Sequence, residues 1–149
     1  MGKFLDLKDT FATKAVDAGG MSTRYIEAGQ GLPVVLIHGG GAGADSYGNW
    51  FDCIPRLAEN FRVLAVDMLG FGSNDHPDPE TFAYTQDARV AHLAGFVEAL
   101  DLERVCLVGN SMGGMTSIGV AVERPDMVDK LVLMGSAGLN RGVREELRP

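Results

Sequence analysis

Four nearly unbroken apolar runs divide the chain: Pro33-Val34-Val35-Leu36-Ile37-His38, Phe61-Arg62-Val63-Leu64-Ala65-Val66-Asp67, Val105-Cys106-Leu107-Val108 and Leu131-Val132-Leu133-Met134. Continuous rather than alternating apolar residues are expected of strands buried on both faces of a parallel sheet. Between the runs the pattern changes period. Residues 50–58 and 81–100 read as helices, and in the second Val90, Leu93, Val97 and Leu100 share one face. A third helix is expected from Met112 to Glu123, with Pro125 as its stop. Residues 13–17 and 21–28 flank Gly19-Gly20 and read as a hairpin. Residues 1–12 read as an irregular or short helical arm. Residues 42–48 read as a polar loop, and Pro77 and Pro79 mark another.

Alternating strands and helices predict an α/β fold: a mostly parallel sheet, covered on both sides, with an N-terminal antiparallel hairpin. In such a sheet the functional loops gather at the C-terminal ends of the strands. His38-Gly39-Gly40-Gly41, Asp67, Ser111 and Gly135 are therefore expected along one edge. Asp67 ends a strand ahead of Gly70 and Gly72, and is expected to be structural, capping N–H groups of its own turn.

The chemistry centres on Gly109-Asn110-Ser111-Met112-Gly113-Gly114. An apolar strand runs straight into Gly-x-Ser-x-Gly, and a helical pattern follows at once. That context separates a nucleophile elbow from a merely Gly/Ser-rich turn. Ser111 is expected at a positive or otherwise strained φ, with its hydroxyl facing the loop of Gly39, Gly40 and Gly41. Gly109 and Gly113 leave room for the chain to pass, and Gly114 lets the helix approach the sheet. The Met112 N–H, at the helix start, points where an oxyanion would form.

Composition narrows the class. The 149 residues suffice for one domain with a real core. A net charge of -7 argues against nucleic-acid or anionic-membrane partners. No apolar run is long enough to span a bilayer, and the opening Met1-Gly2-Lys3-Phe4-Leu5-Asp6 lacks the apolar core of a signal peptide. Cys53 and Cys106 read as buried free thiols in a reducing, cytoplasmic compartment.

Taken together, His38-Gly39-Gly40-Gly41, Asp67-x-x-Gly70-x-Gly72 and the serine elbow resemble the α/β-hydrolases. Residues 38–44, with Asn49 and Asn110-Ser111-Met112-Gly113-Gly114, most resemble the meta-cleavage product hydrolases of aromatic degradation. The resemblance implies hydrolysis of a carbon–carbon bond in 2-hydroxy-6-oxo-hexa-2,4-dienoates, giving 2-hydroxypenta-2,4-dienoate and a carboxylic acid. It implies no cofactor, no metal and an oligomeric assembly. Ser111 would be the nucleophile, or an activator of water. The N–H groups of Gly40 and Met112 would form the oxyanion hole. Gly39, Gly41, Asn49 and Asn110 would contact the substrate, the two asparagines at its dienoate end. From residue type alone, Asn49 reads as a loop cap.

One departure stands out. In these hydrolases the triad runs Ser, then Asp or Glu, then His along the chain. Here His38, His76 and His92 all precede Ser111. His38 belongs to the oxyanion loop, His76 reads as solvated, and His92 reads as a surface or boundary residue of a helix. The chain is thus expected to be the N-terminal part of a hydrolase core, residues 1–149, truncated before the lid and last strands, which residues 140–149 would begin. Alone it is expected to have slight or no activity. Strand 130–135 becomes an edge with exposed apolar residues, which invites self-association or pairing with a complementary hydrolase fragment. Other readings are an esterase-type hydrolase, a non-catalytic binding protein on a hydrolase half, and a dinucleotide-binding domain. The last rests on Gly39-x-Gly41-x-x-Ala44 after a strand. Against it, residues 45–49 read as loop where a helix should open.

Overall fold

The computed structural model describes residues 11–139. The expected arm over residues 1–12 lies almost wholly outside them, as do residues 140–149. Strands β1 (Ala12–Asp17) and β2 (Ser22–Ala28) form the expected hairpin. Gly19 and Gly20 take φ of 67° and 90° in its turn, a region glycine enters without steric cost. Strands β3 (Pro33–Ile37), β4 (Arg62–Val66), β5 (Val105–Asn110) and β6 (Val128–Met134) run parallel to one another. The order across the six-stranded sheet is β1-β2-β4-β3-β5-β6, and β2 pairs antiparallel with β4. At that junction Glu27 accepts hydrogen bonds from Lys14 and Arg62. Burial alone would raise its pKa, but these two cations hold it below the usual carboxylate range.

Helices α3 (Gln86–Ala99) and α4 (Met112–Glu123) cover one face of the sheet. Val90, Leu93, Phe96 and Val97 of α3 meet Val35, Ile37, Leu64 and Val66 there. Helix α3 starts five residues later than its sequence pattern suggests. Thr81 and Phe82 instead turn back onto the Asp78 carbonyl, and the Tyr84 hydroxyl donates to the Pro77 carbonyl. Thr85, extended at ψ 168°, then caps the helix by accepting from the Ala88 N–H.

On the other face the expected helix 50–58 is two short ones, α1 (Ser46–Trp50) and α2 (Ile54–Ala58). Asp45 caps α1 through the Gly48 N–H, so residues 45–49 are not loop. A continuous helix is blocked because Pro55, in the first turn of α2, would clash with the carbonyl four residues back. Trp50 and Ile54 pack on Val34, Leu36, Val63 and Ala65.

The sheet is therefore not covered on both sides throughout. Over β5 and β6 the α1/α2 face is open, and leaves an apolar groove of about 470 Å³ lined by residues including Leu57, Phe61, Cys106, Val108 and Val132. Neither cysteine is fully buried as expected: Cys53 is exposed and Cys106 half-buried, where burial still raises its thiol pKa. No described helix is long and apolar enough to cross a membrane.

Candidate active site

The turn from β5 into α4 holds Ser111 at φ 53°, ψ -114°, a strained conformation for a residue with a side chain. The surroundings over-determine it. Its N–H donates to the Met134 carbonyl at 2.9 Å, and its carbonyl accepts from Gly114, Met115 and Ala137. A Cβ at Gly113 would lie 2.4 Å from the carbonyl oxygens of Ile37 and His38, so only glycine lets α4 come this close to β3. Ser111 itself is exposed at the mouth of the turn, and its hydroxyl makes no hydrogen bond among the described residues.

The loop after β3 lies across from it. Gly39, Gly40, Gly41, Asn49, Asn110 and Ser111 line one open cleft of about 530 Å³. The Met112 side chain lies against Gly40: a Cβ there would sit 3.1 Å from its Cε. The structure thus brings every sequence-predicted site residue to one place. Asn49 sits in α1, and its Oδ1 accepts both from the Gly39 N–H at 2.9 Å and from Asn110 Nδ2 at 3.0 Å. It joins the loop after β3 to the elbow, so it does more than cap a local loop. Its own amide nitrogen is left as a donor, because the oxygen already serves two partners.

The histidines are elsewhere. His38 is fully buried, with Nδ1 2.7 Å from the Gly39 carbonyl and Nε2 accepting from the Met68 N–H at 2.9 Å. Burial lowers its pKa, against the pull of the Gly39 carbonyl and of Asp67 and Asp45. His76 is exposed near the Gly72 carbonyl, as the sequence suggests. His92 is not a surface or boundary residue: it is buried in α3, 2.7 Å from Thr23 Oγ1, and burial alone lowers its pKa to about 4. None of the three hydrogen-bonds Ser111.

Asp67 caps its own turn, as its place predicts, and reaches beyond it. Its carboxylate accepts from the Ser73 N–H and also from the Ser46 N–H at the start of α1. Asn74, buried in the Pro-rich loop, donates to the carbonyls of Asp67 and Met68 and accepts from the Arg24 N–H. Sequence reasoning missed Asn74, because a lone asparagine among turn residues carries no signal of burial. Asp45 carried only a weak signal: aspartate is a favoured N-cap residue, but Gly48 stands where a capping box would have Glu or Gln. Its carboxylate accepts from the Gly48 N–H of α1, and Asp67 accepts from the Ser46 N–H. Two of the N–H groups a pyrophosphate would use are thus already taken by carboxylates, which counts against the dinucleotide reading. Among the described residues no cluster of His, Cys, Asp and Glu could hold a metal ion.

Residues 33–147 match the α/β hydrolase fold family. The chain belongs to that family. The 2-hydroxy-6-oxo-6-(2'-aminophenyl)hexa-2,4-dienoic acid hydrolase of Metapseudomonas resinovorans is 54% identical over 95% of the chain and 48% of its own length. A solved serine hydrolase involved in carbazole degradation is 52% identical, with a TM-score of 0.83 over 91% of the chain and 50% of its own. A solved meta-cleavage product hydrolase from Pseudomonas fluorescens IP01 is 43% identical, with a TM-score of 0.83 over 90% of the chain and 48% of its own. The chain thus spans about half the length of the α/β-hydrolases it matches, and its similarity is to hydrolases of the meta-cleavage type.

Proposed function

We propose that this chain is the nucleophile-bearing N-terminal part of a hydrolase core that cleaves a carbon–carbon bond in 2-hydroxy-6-oxo-hexa-2,4-dienoates. The observation that carries it is Ser111: strained, exposed, its hydroxyl free of hydrogen bonds among the described residues, and lining one cleft with Gly39, Gly40 and Gly41. Its hydroxyl attacks the 6-oxo carbon, or activates a water that does. The alkoxide so formed is held by the N–H groups of Gly40 and Met112. Asn49 and Asn110 hydrogen-bond the dienoate end, with Gly39 and Gly41 shaping the cleft around it. Before the bond breaks the dienol ketonises, its 2-hydroxyl losing a proton while C5 gains one. When the C5–C6 bond breaks, its electron pair delocalises onto the 2-oxo oxygen, which takes a proton, and the fragment leaves as 2-hydroxypenta-2,4-dienoate. Water then releases the carboxylic acid from the serine. No cofactor is needed.

A serine without a base is a weak nucleophile, and neither His38 nor His92 is placed to serve Ser111. The base and its acid partner are therefore to come from polypeptide corresponding to the remaining half of the relatives. We propose that this half seats on the open face of β5 and β6 and on the β6 edge, where Val132 and Met134 are 46% exposed. The alternative occupant, a second copy of this chain, is an outcome of the test. A cytoplasmic location fits a small-molecule catabolic substrate and two unpaired cysteines.

The test is to mix the chain with the C-terminal half of the Metapseudomonas relative and follow loss of dienoate absorbance. Turnover should appear on mixing and be negligible in either part alone. Ser111→Ala should lower it by roughly 10³-fold or more. Equal turnover with and without Ser111 would refute the nucleophile. Light scattering that shows only homodimers, with no mixed complex, would refute the complementary half.

A further inference from the structure

Both ring nitrogens of His38 are occupied, and their partners dictate its protonation. Nε2 faces a donor, the Met68 N–H, so it must carry the lone pair. Nδ1 faces an acceptor, the Gly39 carbonyl, so it must carry the proton. Only the neutral Nδ1–H tautomer satisfies both. The ring is fully buried and packs edge-on against Phe71, with centroids 5.3 Å apart.

The consequence lies one bond further on. The peptide linking Gly39 to Gly40 is trans, so its carbonyl and its N–H point in opposite directions. A glycine pair has no side chains to restrain that plane, and it could otherwise flip. His38 holds the carbonyl end towards the protein interior. Asn49 holds the preceding N–H, that of Gly39. With both neighbours fixed, the N–H of Gly40 points away from the His38 ring; Gly40 lines the cleft, and its N–H has no hydrogen-bond partner among the described residues.

We infer that His38 is a positioning residue: by gripping the Gly39 carbonyl it aims the Gly40 N–H into the cleft beside Ser111. The inference rests on the proposed role of that N–H as an oxyanion donor. A donor aimed before the reaction begins needs no reorganisation as the alkoxide forms, which is the condition under which such donors are most effective. The Met68 bond completes the device by anchoring the ring itself to the loop after β4.

Two substitutions separate this role from simple core packing. Asparagine places its amide nitrogen near the position of Nδ1 and can still donate to the Gly39 carbonyl. Glutamine reaches the position of Nε2 and can accept from Met68, but leaves the Gly39 carbonyl without its donor. Amide NMR spectra of the chain are recorded during titration with sodium acetate, whose carboxylate is the oxyanion probe. In the parent chain the Gly40 and Met112 signals should both shift. His38→Asn should keep the Gly40 shift, and His38→Gln should lose it while Met112 still responds. In the two-part hydrolase, His38→Gln should lower kcat by about 10²-fold with KM little changed, and His38→Asn should recover most of that. Nitrogen spectra of the unsubstituted chain give a further check that needs no variant: the ring should be protonated at Nδ1 only.

A ring protonated at Nε2, a Gly40 amide indifferent to acetate in the parent chain, or equal behaviour of the two variants would overturn the inference. Ser111→Ala separates the two claims. Loss of turnover there with the Gly40 response intact supports both. Turnover that survives Ser111→Ala, with the His38 pattern as expected, removes the nucleophile and leaves the positioning role standing.

Discussion

Strands β3 and β6 carry much the same apolar run, Val34-Val35-Leu36-Ile37 and Leu131-Val132-Leu133-Met134, yet their surroundings differ sharply. In β3 the exposure is 6% at Val34 and 0% at the next three residues; in β6 Leu131, Val132 and Met134 stand at 36%, 46% and 46%. Strand β3 lies between β4 and β5, with α3 on one face and α1 and α2 on the other. Strand β6 lies at the edge, with α4 on one face and the open groove on the other. An apolar run states that a strand is suited to burial. Whether burial is realised depends on what else packs there. The finished half of the sheet holds the loop of Gly39, Gly40 and Gly41, and the half that bears the elbow is the one left open.

The largest effect expected from this contrast is a difference in the cost of truncation. Phe96→Ala, on the side of the sheet that is filled, should cost about 4 kcal/mol in urea unfolding, since a fully buried ring leaves a cavity. Val132→Ala should cost less than about 1 kcal/mol. Comparable losses would mean that the open face is covered in solution.

Next in size is the acid response of the filled side. His92 has a folded-state pKa of about 4, below its ordinary 6.5. Between those values only the unfolded chain takes up the proton. Stability from this residue is complete above pH 6.5 and falls away towards pH 4, by about 3 kcal/mol in all. Urea midpoints measured across that range should drop accordingly, and His92→Leu should flatten the fall. Thr23 survives that change, because its hydroxyl still donates to the Met21 carbonyl. An unchanged slope would place the acid sensitivity elsewhere.

A smaller effect tests the start of α3. Thr85→Ala removes the acceptor for the Ala88 N–H and should lower stability by about 1 kcal/mol, read from thermal or urea unfolding. The smallest effect on stability is expected at the open face. Val132→Lys should leave unfolding within about 0.5 kcal/mol of the parent, while weakening association with the complementary half in the light-scattering assay. Unweakened association would move that interface away from the groove.

Local pattern determined a great deal. The elbow was legible because Gly109, Ser111, Gly113 and Gly114 admit few alternatives between a strand and a helix. The parallel strands were legible from their unbroken apolar runs, and the site edge followed from strand direction. Residues 81–84 misled because their pattern continues that of α3, while the Asp78 carbonyl and Thr85 set the true start. Residues 45–49 misled because a five-residue helix has too short a period to show. Only the tertiary structure decided the order of the strands, the open face beside β6 and the fate of the polar residues. His92 finds Thr23 on a strand 69 residues away, Asn49 finds Asn110 across 61, and Asp67 finds Ser46 across 21. A side chain's hydrogen-bonding capacity is written in its residue type. Its partner is set by where the backbone returns, and that is a property of the packed chain as a whole.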